Sequence, residues 1–408
     1  MGDFSRPKLA LALLQAAFLL LLGACALQTT TPTPAARSTI SVSDTPQASQ
    51  ESPSPNTSPT IAASPTPADL AVDSLEKSLN PLTGLPVQDE SLLDRRPVAV
   101  KITLYPRSSR PQWGLSLADI VYEYYHNNNL TRFHAIFYGQ DAHQAGPIRS
   151  ARLPDEHLME AYDSVLSFAS ADSRIRDALN DRYPAWRLAS ILEGVCPPNP
   201  VCRFDPEGFN HLLVNTARLS EYIEAIGGDN ALRDLAGMEF AEEKPKALYE
   251  VERIYTWYSA SAFNYWEYDA DERVYTRYQD SWDAVGGRGV SYLRLQDRLT
   301  SQAVTADNVI LLYMDHFHTV YVPAGGGRPA TEVVDIDFEG GGAAYAFRDG
   351  LAYELQWKRA SGEVLTLEYA DGTPYAFKPG NTWFQVVNDT SRLDQEGDSW
   401  YFWFEFRP

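Results

Sequence analysis

The chain begins with an apolar run. Residues 9–22 are broken only by Gln15 and follow Arg6 and Lys8. A run of this length behind a basic start reads as an export signal, and it is shorter than the roughly 20 residues that span a bilayer. From residue 26 to about 69 the apolar pattern disappears. Aromatic residues are absent and Thr, Ser and Pro dominate, as in Thr29-Thr30-Thr31-Pro32 and Ser52-Pro53-Ser54-Pro55. Such a stretch buries too little apolar surface to offset its chain entropy, which predicts a semi-extended tether over 26–78.

Short apolar runs resume near Asn80. Residues 98–102, 119–124 and 132–138 read as strands, and Asn127-Asn128-Asn129 supplies the turn chemistry of a hairpin between the last two. Pro154 opens a helix whose first turn carries Asp155 and Glu156, where carboxylates suit the helix dipole. Residues 164–170 read as a buried strand, and 216–226 as a helix closed by Gly227-Gly228. The mixture predicts an α/β or α+β domain over 79–240. From about Lys246 period-two alternation takes over, as in Phe263-Tyr265-Glu267, Val274-Thr276-Tyr278 and Phe402-Phe404-Phe406. Gly286-Gly287, Gly325-Gly326-Gly327, Gly340-Gly341-Gly342, Asp349-Gly350 and Asp371-Gly372 read as turns, because none is followed by the Lys-Ser/Thr of a phosphate loop. The pattern predicts a mainly antiparallel β domain over 241–408, a sandwich or barrel.

Composition adds two exclusions. The 408 residues carry a net charge of −20, which argues against a nucleic-acid partner held by phosphate neutralisation. A charged fraction of 22% and a mean hydropathy of −0.32 exclude a multi-span membrane protein and a wholly disordered chain. Leu22-Gly23-Ala24-Cys25 matches a bacterial lipobox, with small residues at the scissile bond and a cysteine to receive diacylglycerol. Residues 1–25 are therefore read as a lipoprotein signal, and the protein as exported and anchored through lipid on Cys25 to the outer face of the cytoplasmic membrane. Cleavage removes Asp3, Arg6 and Lys8 and takes the charge from −20 to −21. So acidic a body stands off from anionic headgroups. Cys196 and Cys202 remain as an even pair in an exported protein, which suggests a disulfide across Pro197-Pro198-Asn199-Pro200-Val201.

Several motifs carry a resemblance. Asn80-Pro81-Leu82-Thr83-Gly84, Ala118-Asp119-Ile120-Val121-Tyr122-Glu123, Thr131-Arg132-Phe133, Gly146-Pro147-Ile148-Arg149-Ser150-Ala151-Arg152, Phe347-Arg348-Asp349-Gly350 and Pro379-Gly380-Asn381-Thr382-Trp383 resemble the YerB-like bacterial lipoproteins, a family with N- and C-terminal domains. The resemblance covers nearly all of 80–390 and implies a two-domain exported protein without assigning chemistry. One departure is Phe209-Asn210-His211, where the family often has Pro-His-Asn.

The candidate chemistry centres on Arg149 and Arg152. Gly146-Pro147 forbids a regular helix before them and Pro154 begins the next, so both arginines fall on a loop at the edge of the sheet. The guanidinium fork matches phosphate or carboxylate, and Arg132, Arg110 and Lys101 are candidates to join. The alternative is internal ion pairing to Asp119, Glu123 or Asp155. Asp119 and Glu123 are also candidates to bind ligand or, with Asp172, a cation. His316 and His318, near Asp315, form too weak a pattern for a metal site, and no cofactor motif is present. Ser150 is the one serine placed as a nucleophile. Trp357 and Trp383 are candidates to line a glycan groove. Together these features read as a surface-tethered binding or accessory factor with an envelope polymer or envelope protein as partner. The alternatives are a phosphotransferase or hydrolase on phosphate-bearing envelope substrates, or a solute-binding receptor.

Overall fold

The computed structural model describes residues 79–405 apart from 191–196, 206–210, 248 and 322–330. Cys25, the tether, Cys196, Phe209-Asn210 and Gly325-Gly326-Gly327 lie outside the described residues. No helix among the described residues is long and apolar enough to cross a membrane.

The amino-terminal half supplies β1 (Val98–Thr103), β2 (Ile120–Asn127), β3 (Leu130–Phe137), β4 (Val165–Ser167) and β5 (Leu188–Ala189). Three helices accompany them: α1 (Pro154–Ala161), α2 (Ser173–Arg182) and α3 (Thr216–Ala225). β2 and β3 form the expected hairpin. Asn128 and Asn129 at its turn have φ of 52° and 60°, the left-handed pair that a tight two-residue turn demands. α1 starts at Pro154, and Asp155 reaches back to accept a hydrogen bond from the Arg152 amide at 2.6 Å. Asp172 and Asn215 cap α2 and α3.

These strands form a mixed sheet with few helices, as the fold-class reading expected. In order it runs Thr366–Glu368, Leu351–Arg359, Gly340–Arg348, Asn308–Met314, Thr382–Asn388, β2, β3, β1, β4 and β5. Strands from either side of residue 240 thus share one sheet. Thr382–Asn388 lies between β2 and Asn308–Met314 and pairs in parallel with both. β1 and β2 are buried along their whole length, because the sheet is covered on both faces. Leu158, Met159 and Tyr162 of the α1 segment, with Ile175 and Leu179 of α2, pack on one face.

A second, mainly antiparallel sheet covers the other face. It is built from Arg253–Ser259, Ala262–Asp269, Val274–Asp280, Arg392–Glu396 and Ser399–Trp403, with Arg253–Ser259 and Ser399–Trp403 parallel. Trp266 of this sheet meets Trp383 of the first, with ring centroids 5.0 Å apart. The Arg277 guanidinium sits 4.7 Å from the Trp383 ring centroid. It also pairs with Glu123 at 2.7 Å, with both side chains excluded from solvent. The Gly340-Gly341-Gly342 turn is a correction, since these residues open the strand Gly340–Arg348. A Cβ on Gly342 would lie 2.7 Å from the Trp357 indole nitrogen, so the glycine lets that ring close over the strand. Trp357 and Trp383 are only 3% and 1% exposed, which removes them as groove residues.

A cationic cleft beside the β2–β3 hairpin

Strand register assembles the candidate site. Lys101 on β1 stands opposite His134 on β3, and Tyr124 on β2 opposite Arg132 on β3. The segment carrying Arg149 is stitched to β1, with the Arg149 amide donating to the Lys101 carbonyl at 2.8 Å. α1 then presents Asp155 to this face. The buried Asp155 carboxylate accepts from Lys101 Nζ at 3.0 Å, the His134 ring at 2.8 Å, the Arg152 amide, and the Tyr124 hydroxyl. Burial opposes its ionisation, but Lys101 and His134 outweigh burial and hold it well below the usual carboxylate range. Burial acts the other way on Lys101 and lowers it to about 7 despite Asp155.

The arginines sit in front of this network. Arg132 Nη1 donates to the Ser150 carbonyl at 2.6 Å, and Arg152 Nη1 approaches the same oxygen at 3.4 Å. Two guanidiniums therefore meet at one neutral acceptor. Among the described residues neither forms an ion pair with a carboxylate, whereas Asp172 is taken by Arg174 at 2.7 Å. Burial, then Arg152 and Arg149, push Arg132 well below its ordinary value. A guanidinium keeps its proton even so. Arg132 and Arg149 line a cleft of about 340 Å³ with His126, Thr131 and Thr103, and with Tyr105, Pro106 and Leu130 as its less polar lining. Ser150 Oγ lies 2.9 Å from Ser170 Oγ, a hydroxyl and not a base.

The other candidates go elsewhere. Arg110 joins Arg107 on Asp280, at 3.3 and 2.6 Å, and so ties the 107–110 segment to the second sheet. Glu123 faces Arg277 on the opposite side of the large sheet. Asp119 accepts from Asn80 Nδ2 at 2.8 Å and from the Tyr138 and Gly139 amides at 2.6 and 3.1 Å, so it fastens the 80–84 turn. Burial raises it to about 6 against those hydrogen bonds. It faces a separate polar cleft of about 600 Å³ with Asp141, Asp307 and Asn381. Asp119 and Glu123 are not brought together. His316 is held by the Met314 carbonyl at 2.9 Å and His318 by Glu332 at 2.8 Å, and no group of three metal-ligating side chains occurs among the described residues. Cys202 is disulfide-bonded.

Sequence reasoning missed His126, His134 and Tyr124. Each lies two residues from a neighbour on the same strand face, His126 from Tyr124 and His134 from Arg132. Period-two spacing was therefore the available signal.

Comparison with known proteins adds family context. Residues 82–194 match "Protein of unknown function (DUF3048) N-terminal domain", and residues 254–384 match "Protein of unknown function (DUF3048) C-terminal domain". "Putative lipoprotein YerB" of Bacillus subtilis (strain 168) is 28% identical over 327 residues, 79% of this chain and 89% of that protein. The crystal structure of YerB protein from Bacillus subtilis is similar with a TM-score of 0.60 and 26% identity, over 76% of this chain and 96% of that one.

Proposed function

Since this chain carries both domains of the DUF3048 family, in order, and is a distant homologue of a protein named as a lipoprotein, we propose that it is a lipid-anchored binding factor of the bacterial envelope. Lipid on Cys25 holds it at the outer face of the cytoplasmic membrane. The 26–78 tether gives it reach, and a Cys196–Cys202 bridge stiffens one loop of the body. The cleft of Arg132, Arg149 and Arg152 takes an anionic envelope component. The observation that carries this reading is the pair of guanidiniums, the buried Arg132 and the half-buried Arg152, that meet at a carbonyl without a carboxylate between them. Buried charge left unpaired costs several kcal/mol, and a bound anion relieves it. Binding is favoured over catalysis because the Ser150 hydroxyl is hydrogen-bonded to another serine and not to a base.

Thermal melting of the full chain in non-ionic detergent, with polyphosphate against a chloride control of equal ionic strength, tests the site. A ligand at about 100-fold its Kd adds roughly 2.7 kcal/mol, several degrees for a domain of this size. The shift is expected in the native protein and lost in R132A/R152A. A variant that melts well below native, together with a native protein that ignores polyphosphate, would show the arginines to be struts.

A further inference from the structure

The cleft has a chemical bias beyond its sign. Leaving Arg149 out of the count, Arg132, Arg152 and a partly protonated Lys101 face one carboxylate, Asp155, so between one and two positive charges stand in excess. No carboxylate is among the lining residues. The Thr131 hydroxyl donates to Glu123 at 2.8 Å and the Thr103 hydroxyl to the Tyr105 carbonyl at 2.8 Å. The remaining wall is His126, which is 2% exposed. Its Nδ1 lies 3.4 Å from Arg152 Nε, a donor, so Nδ1 accepts and the ring proton sits on Nε2. That Nε2 is buried and has no partner at hydrogen-bond distance among the described residues, and the Asn127 side chain is a weak contact of the ring. Burial, then Arg132 and Arg152, hold the imidazole well below its ordinary value and therefore neutral. The lining thus draws N–H donors from β2 (His126), β3 (Arg132) and the 149–152 segment (Arg149), a set suited to a group that only accepts.

We propose that the cleft binds the terminal phosphate of an organic phosphate monoester, in its doubly charged form, with His126 Nε2–H as a specificity-determining donor and the organic portion leaving past Tyr105, Pro106 and Leu130. This rests on the anion-site reading above and names its ligand class. A carboxylate would cancel one charge of the excess and offer two acceptors in a plane. A phosphate dianion cancels two and offers three terminal oxygens. The cleft is roomier than a bare tetraoxyanion needs, and part of its lining, Pro106 and Leu130, is apolar.

Calorimetry on the full chain in non-ionic detergent tests this with inorganic phosphate, sulfate, dimethyl phosphate, acetate, glycerol 3-phosphate and octyl phosphate. Sulfate is doubly charged throughout, so it reports any titration of the groups lining the cleft (His126 on β2, Arg132 on β3 and Arg149) and of those packed behind or beside them: Lys101 on β1, Tyr124 on β2, His134 on β3, Arg152, Asp155 and Asp172. The affinity ratio of glycerol 3-phosphate to sulfate therefore isolates the ligand's own second ionisation, near pH 6 for a phosphate ester. The ratio is expected to rise about tenfold between about pH 5 and pH 8, as monoanion gives way to dianion. Both monoesters are expected to bind more tightly than inorganic phosphate. Octyl phosphate ahead of glycerol 3-phosphate would indicate a lipid phosphate as the source, and the reverse a soluble or polymer-terminal one. H126F removes the donor and is expected to weaken phosphate about tenfold, whereas H126Q, which keeps an N–H, stays near native. Acetate or dimethyl phosphate binding as well as phosphate, a ratio indifferent to pH, or an H126F variant of native affinity would overturn the monoester assignment and leave the anion site standing. No binding by any anion would overturn both.

Discussion

One carboxylate organises the buried side of the cleft. Asp155 satisfies Lys101, His134, Tyr124 and the Arg152 amide together, so removing any partner leaves charge or a lone donor in a dry place. Lys101→Met is expected to cost about 3–5 kcal/mol in urea unfolding, with Asp155→Asn similar. The double variant should cost less than the sum, because each single change strands the other charge. Strict additivity would show that the two do not interact. Asp119 makes a pH prediction. Its carboxyl is raised in the fold from 3.8 to about 6, so the stability it supplies is complete below pH 3.8 and is lost as pH rises through 6. The advantage of the native protein over D119N should shrink by about 3 kcal/mol between about pH 4 and pH 7. A gap constant across that range would show that Asp119 titrates as in water. At this scale the arginines were legible in the sequence, since residue type and the Gly-Pro break on one side and Pro154 on the other announce them. Their partners were not. Whether Arg110 meets a ligand or Asp280 depends on a contact 170 residues away, which no local pattern carries.

Elements show the same division. The β2–β3 hairpin was readable because Asn128 and Asn129 tolerate positive φ, and the start of α1 because Pro154 and two acids mark it. Asn128→Val should destabilise by about 1–2 kcal/mol, since a β-branched residue resists the left-handed conformation, and thermal melting would record it. Asn308–Met314 escaped because it is a continuous apolar run buried on both sides, without the alternation that marks a one-faced strand. The glycines at 340–342 were misread because a turn and a close approach both call for glycine. Only the packed Trp357, which donates to the Tyr313 carbonyl at 2.8 Å, tells them apart. Gly342→Ala should cost about 1–3 kcal/mol by forcing that indole away, with a change in near-ultraviolet dichroism. An unchanged aromatic spectrum would argue against the close approach.

The molecule as a whole is held by pairings distant in sequence. Thr382–Asn388 fills the slot between β2 and Asn308–Met314, and Glu123–Arg277 joins the two sheets where Trp266, Trp383 and Phe133 meet. Two regions that read as successive domains in composition are thus joined through one hydrogen-bonded sheet. Far-ultraviolet dichroism and tryptophan fluorescence are therefore expected to report one coincident unfolding transition. Two separated transitions would mean that the halves stand independently. The inserted strand also imposes an order of events. A chain that emerges amino end first presents β2 with a bare edge and must wait for residues 382–388, far downstream in the sequence, before that edge is closed. Until then the molecule is an unfinished sheet with an inviting border, prone to pairing with the wrong neighbour. Truncations that remove only the final strands should therefore fail as sticky, unfinished chains and not as slightly shorter proteins.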